Sequence, residues 1–155
     1  NALLPAGERE TNIGCDLIDA SWFSRIDASG GAVFFAAGVF YYFLTGQVKT
    51  LVCALAAAFP DGRIVFDAAN RSAVKLMLKT WIRQAKIRDV GAYFAVADAK
   101  KELSTWSEKL SISSRGYMLG YQTLDDPSVS GFFRFLAKVG DGMMKMQIVR
   151  LDFQK

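Results

Sequence analysis

The chain contains no histidine, and this decides which chemistries are open to it. Ser-His-Asp and Cys-His nucleophile activation are removed, together with the commonest zinc ligand. The two cysteines, Cys15 and Cys53, do not make a disulfide framework, and no metal site is expected. Catalysis would have to run on carboxylates, a tyrosine or binding geometry. Three side chains stand where that could happen. Asp16 falls at the end of TNIGCDL, Asp67 at the end of RIVFD, and Tyr42 in the aromatic run VFYYF. An acceptor at the carboxyl end of a strand faces the ligand crevice of an open α/β sheet. Each also has an ordinary reading, as a turn or cap acid for the aspartates and a core aromatic for Tyr42.

The elements that would position these residues follow from pattern. GAVFFAAGVFYYF (Gly31–Phe43) opens with an apolar run that predicts a strand over Ala32–Ala37. Thr45 is placed to cap a helix whose Val48, Leu51, Val52, Leu55 and Phe59 share one face. Pro60-Asp61-Gly62 reads as a turn in which glycine takes the positive dihedral. Arg63–Asp67 follows as a second strand, and Asn70 or Ser72 caps a long helix to about Ile87. Upstream, Thr11–Leu17 reads as a short strand, and Asp19 as the cap of a helical turn over Ala20–Ile26. Downstream come a helix capped by Asp98, a strand over Leu110–Leu119, a helix from Pro127 to Ala137 and a strand over Met143–Phe153. Strand–helix–strand–helix followed by two late strands around a helix predicts α/β with a mixed sheet. Residues 3–155 read as a single domain, and Asn1 and Ala2 as the remnant of a cleaved tag.

At 155 residues the chain can build one real core. Its 52% apolar content and mean hydropathy of +0.18 suit strands buried on both faces. The longest apolar run, Ala32–Leu44, is too short to cross a bilayer. No secretory signal is visible, so a cytoplasmic location is expected. Arg71, Lys75, Lys79 and Arg83 recur at four-residue steps, with Lys86 on the same side. With a net charge of only +4, this stripe reads as a solvated face in preference to a nucleic-acid or membrane contact.

Taken together, IGCDLIDASW (Ile13–Trp22), AAGVFYYF (Ala36–Phe43) with QVKTLV, and FPDGRIVFD (Phe59–Asp67) resemble the second half of a class I S-adenosylmethionine-dependent methyltransferase. The similarity is to the leucine carboxyl methyltransferase family, in the branch of the tetracenomycin polyketide O-methyltransferase. The resemblance implies a three-layer, Rossmann-like domain with strand order 3-2-1-4-5-7-6. It places Ala32–Ala37 and Arg63–Asp67 side by side and parallel. Met143–Phe153 should then run antiparallel between Arg63–Asp67 and Leu110–Leu119.

The resemblance further implies that Asp16 and Leu17 hold the adenine of S-adenosylmethionine, and that Ala37 and Gly38 lie close to the cofactor. Ala37 stands where the family usually has a glutamate. Tyr42 and Asp67 fall on the substrate side. Methyl transfer to an oxygen, most readily a carboxylate, needs no histidine, because an ionised acceptor requires no general base. The first two strands and the glycine-rich loop of such a domain are not found before Thr11. The segment alone is therefore expected to bind cofactor weakly or not at all. It is also expected to pair as a homodimer, or by strand exchange, through the exposed edge of Ala32–Ala37. The alternative reading is a non-catalytic partner subunit, or a basic-helix module on an anionic surface.

Overall fold

The computed structural model describes residues 5–82 and 91–155. Four strands form one mixed sheet. They are β1 (Val33–Ala36), β2 (Arg63–Ala68), β3 (Leu110–Gly116) and β4 (Gln147–Phe153). Their order is β1-β2-β4-β3. β1 and β2 are parallel, with Ala36 opposite Phe66. β4 is antiparallel to both of its neighbours, with Leu151 between Ile64 of β2 and Ile112 of β3. This is the arrangement expected of the last four strands, including the late strand inserted between two earlier ones.

The crossover from β1 to β2 is α1 (Thr45–Ala58). Its Val48, Leu51, Val52 and Leu55 are buried, the face expected from their spacing. The residue at the N-cap is Leu44 and not Thr45, and the Gln47 side chain accepts the Leu44 N–H at 2.8 Å. In the turn before β2 the positive φ belongs to Asp61, at 63°. Glycine is required at 62 for a different reason. A Cβ there would lie 2.8 Å from the Phe59 carbonyl oxygen and 3.1 Å from that of Ala32. The chain passes too close to two backbone carbonyls for a side chain to fit.

α2 (Arg71–Met77) is capped by Asn70 and passes into a wider, π-type turn over Leu78–Ile82. The rest of the helix expected to Ile87 lies outside the described residues, as do Arg83 and Lys86. α3 (Ala99–Leu103) is capped by Asp98, whose side chain accepts the Lys101 N–H at 3.0 Å. α4 (Gly131–Lys138) starts after Ser130, four residues later than its proline suggests. The last strand starts at Gln147 because 139–143 form a π-type turn.

Two sequence expectations change before β1. Thr11–Leu17 forms no strand: it pairs with neither edge of the sheet, and strand residues are stabilised by pairing and not by intrinsic preference. Cys15, expected in a strand interior, is consequently exposed. Residues Ala20–Arg25 do form a 3-10 turn, capped by Asp19 through the Ser21 N–H. Hydrogen bonds from the Ser21 backbone and side chain hold the Asp19 carboxyl below its usual range.

Alternate residues of the sheet face one core. Phe34, Ala36, Ile64, Phe66, Val149, Leu151, Phe153 and Leu110 pack with α1, α3 and Trp22. Phe66 lies 5.1 Å from Phe40 and 6.0 Å from Phe94, ring centre to ring centre. The opposite row carries Val33 and Phe35, 66% and 77% exposed. Further along it lie Arg63 and Arg150, both paired with Asp152. A second, smaller buried cluster joins Tyr41, Ala69 and Val74, with Ala73, Met77 and Met146 packed against it. β1 is an edge strand of the described sheet. No helix among the described residues is long and apolar enough to cross a membrane.

Candidate functional site

Because β1 and β2 are parallel, their carboxyl ends lie together, the place where open α/β sheets receive ligands. Ala37 and Gly38 continue β1, and both are exposed. Gly38 has φ +65°, and a Cβ there would meet nothing within 4 Å. The left-handed turn, and not crowding, is what favours glycine here. It aims the Gly38 N–H at Asp67 near the end of β2, where the Asp67 Oδ1 accepts it at 2.6 Å.

The next residues, Phe40–Tyr42, form a 3-10 turn. It drives Phe40 and Tyr41 inward, 2% and 7% exposed, and leaves Tyr42 40% exposed. The Tyr41 hydroxyl is hydrogen-bonded to the Asp67 carboxylate. Burial, then the negative charge of Asp67, push the Tyr41 phenol far above its ordinary range. The hydroxyl therefore remains a donor. Asp67 thus accepts from one backbone and one side-chain group, and its own side chain is half-buried.

A cavity of about 510 Å³ opens over this corner. One wall is α2, with Ala73, Val74, Leu76, Met77 and then Thr80; another is Tyr117, Met144 and Met146. Distant segments are brought in by backbone pairing. The Asn70 N–H donates to Met144 O at 3.0 Å, and Tyr117 N–H to Met146 O at 3.1 Å. The Asn70 side chain ties the same junction twice. It accepts the Ala73 N–H at 3.0 Å and donates to Met143 O at 2.8 Å. Two of the lining residues are also tied to 93–96, with Tyr93 N–H on Tyr41 O at 2.7 Å and Val96 N–H on Ala69 O at 2.9 Å.

Three of the six sequence candidates, Gly38, Tyr42 and Asp67, line this cavity, and Asp16, Leu17 and Ala37 do not. Asp16 is exposed in a turn, where its Oδ1 accepts the Ile18 N–H at 3.1 Å. Leu17 packs against the main core, and its carbonyl accepts the Trp22 indole N–H at 3.2 Å. Sequence reading missed Tyr41, Met77, Met144 and Met146 as lining residues. Tyr41 carried a usable signal, as the tyrosine next to Tyr42 in a run too short for both to face one way. No group of three or more metal-binding side chains is assembled among the described residues.

No family model matches the chain, and no curated protein matches it. Among solved structures it is similar to an O-methyltransferase family protein from Burkholderia thailandensis, with a TM-score of 0.48 and 13% identity. The similarity covers 92% of this chain and 35% of that one, so the chain spans about a third of that protein's length.

Proposed function

We propose that this chain belongs to the catalytic domain of an S-adenosylmethionine-dependent O-methyltransferase acting on a small molecule. The observation that supports this most is the strand order. The sequence resemblance requires a parallel pair, then a late antiparallel strand inserted beside it, and β1-β2-β4-β3 has that form. The cavity at the carboxyl ends of β1 and β2 is where such a domain would receive its acceptor.

The residues present fit the cofactor in part. Gly38 leaves open space beyond its backbone, as close approach of a ligand needs. The Asp16 carboxylate is exposed, with one oxygen engaged by its own turn. Asp16 and Leu17 would hold the adenine, and Ala37 and Gly38 would lie along the cofactor's inner side. When bound, S-adenosylmethionine supplies a methyl group on a sulfonium that departs as the neutral thioether. The chain's own contribution is to bind and orient the acceptor in a cavity with apolar walls. Proximity and exclusion of water then lower the barrier, with no proton to remove from an ionised oxygen.

Calorimetric titration of S-adenosylhomocysteine into a full-length version of the protein tests this reading. Asp16→Ala should weaken binding about tenfold, the loss of one hydrogen bond to a charged acceptor. An unchanged affinity would remove Asp16 from the site. No binding by the unaltered protein would overturn the methyltransferase reading.

A further inference from the structure

The cavity has one property that its place in the sheet does not require. Among its described lining residues Asp67 alone carries a charge. No basic side chain pairs with it among the described residues, where the ion pairs lie at Asp61 and Asp152. Its two partners, the Gly38 N–H and the Tyr41 hydroxyl, are neutral donors. A half-buried carboxylate against apolar walls is a charge without a counter-charge, and such groups are stabilised by a cation brought to them. The rest of the lining suits the body of that cation. Tyr42 and Tyr117 are 40% and 45% exposed beside the cavity, and tyrosine rings attract ammonium groups through their faces. Met77, Met144 and Met146 line it too, and thioether chains adapt to flat rings.

We propose that this cavity binds an organic cation, a protonated amine on a flat apolar body, with Asp67 as its counter-ion. That the occupant is also the methyl acceptor rests on the function proposed above. In that case the amine is the anchor, and the accepting oxygen lies at the other end of the molecule. An acceptor with a carboxylate at its buried end is disfavoured, because it would meet Asp67 with like charge.

Three naphthalene probes separate charge from shape: 2-(1-naphthyl)ethylamine, 2-(1-naphthyl)ethanol and 1-naphthaleneacetate. Their binding is followed by fluorescence anisotropy with no cofactor added. The amine should bind at least tenfold more tightly than the acetate, with the alcohol between them. Asp67→Asn keeps an acceptor for the Gly38 N–H and should erase the preference for the amine. Leu76→Lys, on the partly exposed wall of α2, should shift it toward the acetate while leaving Asp67 in place. If Asp67→Asn does not fold, Leu76→Lys decides. Acetate binding as tight as the amine, an unchanged preference in the variants, or no binding of any probe would overturn the proposal. Failure here leaves the transfer reading intact, and failure of S-adenosylhomocysteine to bind leaves the charge preference intact.

Discussion

The Tyr41 hydroxyl is the most informative single group to remove. It is buried and donates to a carboxylate, so Tyr41→Phe loses a charge-assisted hydrogen bond worth about 2 kcal/mol. The same burial and the same carboxylate hold the phenol far above its ordinary range in the folded chain. In the unfolded chain the phenol ionises near pH ~10. Above that pH the unfolded state releases a proton that the folded state keeps, so stability falls as pH rises. One pH unit beyond, at about pH 11, this single residue costs the wild type about 1.4 kcal/mol relative to about pH 8. Phenylalanine has no such proton. The variant should therefore be about 2 kcal/mol less stable than wild type at about pH 8, narrowing to about 0.6 kcal/mol at about pH 11. Urea unfolding followed by far-ultraviolet circular dichroism at both pH values measures the gap, and groups titrating alike in both proteins cancel. Near-ultraviolet absorbance gives an independent reading, since one tyrosine of five should ionise only on unfolding. A gap that stays constant or widens would show that the hydroxyl is not held protonated against Asp67.

Further outcomes follow from geometry described above. Gly62→Ala drives a methyl against two backbone carbonyls and should cost about 1–3 kcal/mol; a urea midpoint equal to wild type would show that the turn yields. Asn70→Ala removes both the cap of α2 and the tie to Met143, a loss of about 1–2 kcal/mol, whereas Asn70→Asp keeps the cap and should fall between; an Asn70→Asp melt equal to wild type would mean the Met143 tie contributes nothing, and losses equal in the two variants that the cap contributes nothing. β1, an apolar edge bearing exposed Val33 and Phe35, should recruit a second copy, and Phe35→Lys should return it to a monomer. Size-exclusion chromatography with light scattering decides this, and a monomeric wild type would refute it.

What could be read from the sequence was what neighbouring residues settle among themselves. β1 and β2 are legible because strands of a parallel sheet are nearly continuous apolar runs, and α1 because Val48, Leu51, Val52 and Leu55 recur at helical spacing. The Asp19, Asn70 and Asp98 caps were legible for the same local reason. Thr11–Leu17 was misread because strand formation depends on pairing along an edge, which no local signal reports. The cavity was half legible. Gly38, Tyr42 and Asp67 belong to a single crossover, whereas Tyr117, Met144 and Met146 reach it only through backbone pairs some seventy residues apart in places, such as Asn70 with Met144. The choice between Tyr41 and Tyr42 for the interior depended on a 3-10 turn of three residues, which the aromatic run alone does not announce.

The position of β4 bears on how the chain is made. Among the described residues β3 pairs only with β4, and β2 reaches β3 only through it. During synthesis β1, α1 and β2 can associate early, because their contacts are near in sequence. Leu110–Gly116 must wait unpaired until β4 leaves the ribosome and inserts beside β2. Until then Ile64 and Phe66, buried at 2% and 1% exposure in the finished sheet, sit beside an open edge. This sheet is thus most prone to aggregate just before β4 is added. A change that keeps Gln147–Phe153 from pairing would leave β3 alone and β2 with an open edge, a far larger loss than seven residues suggest.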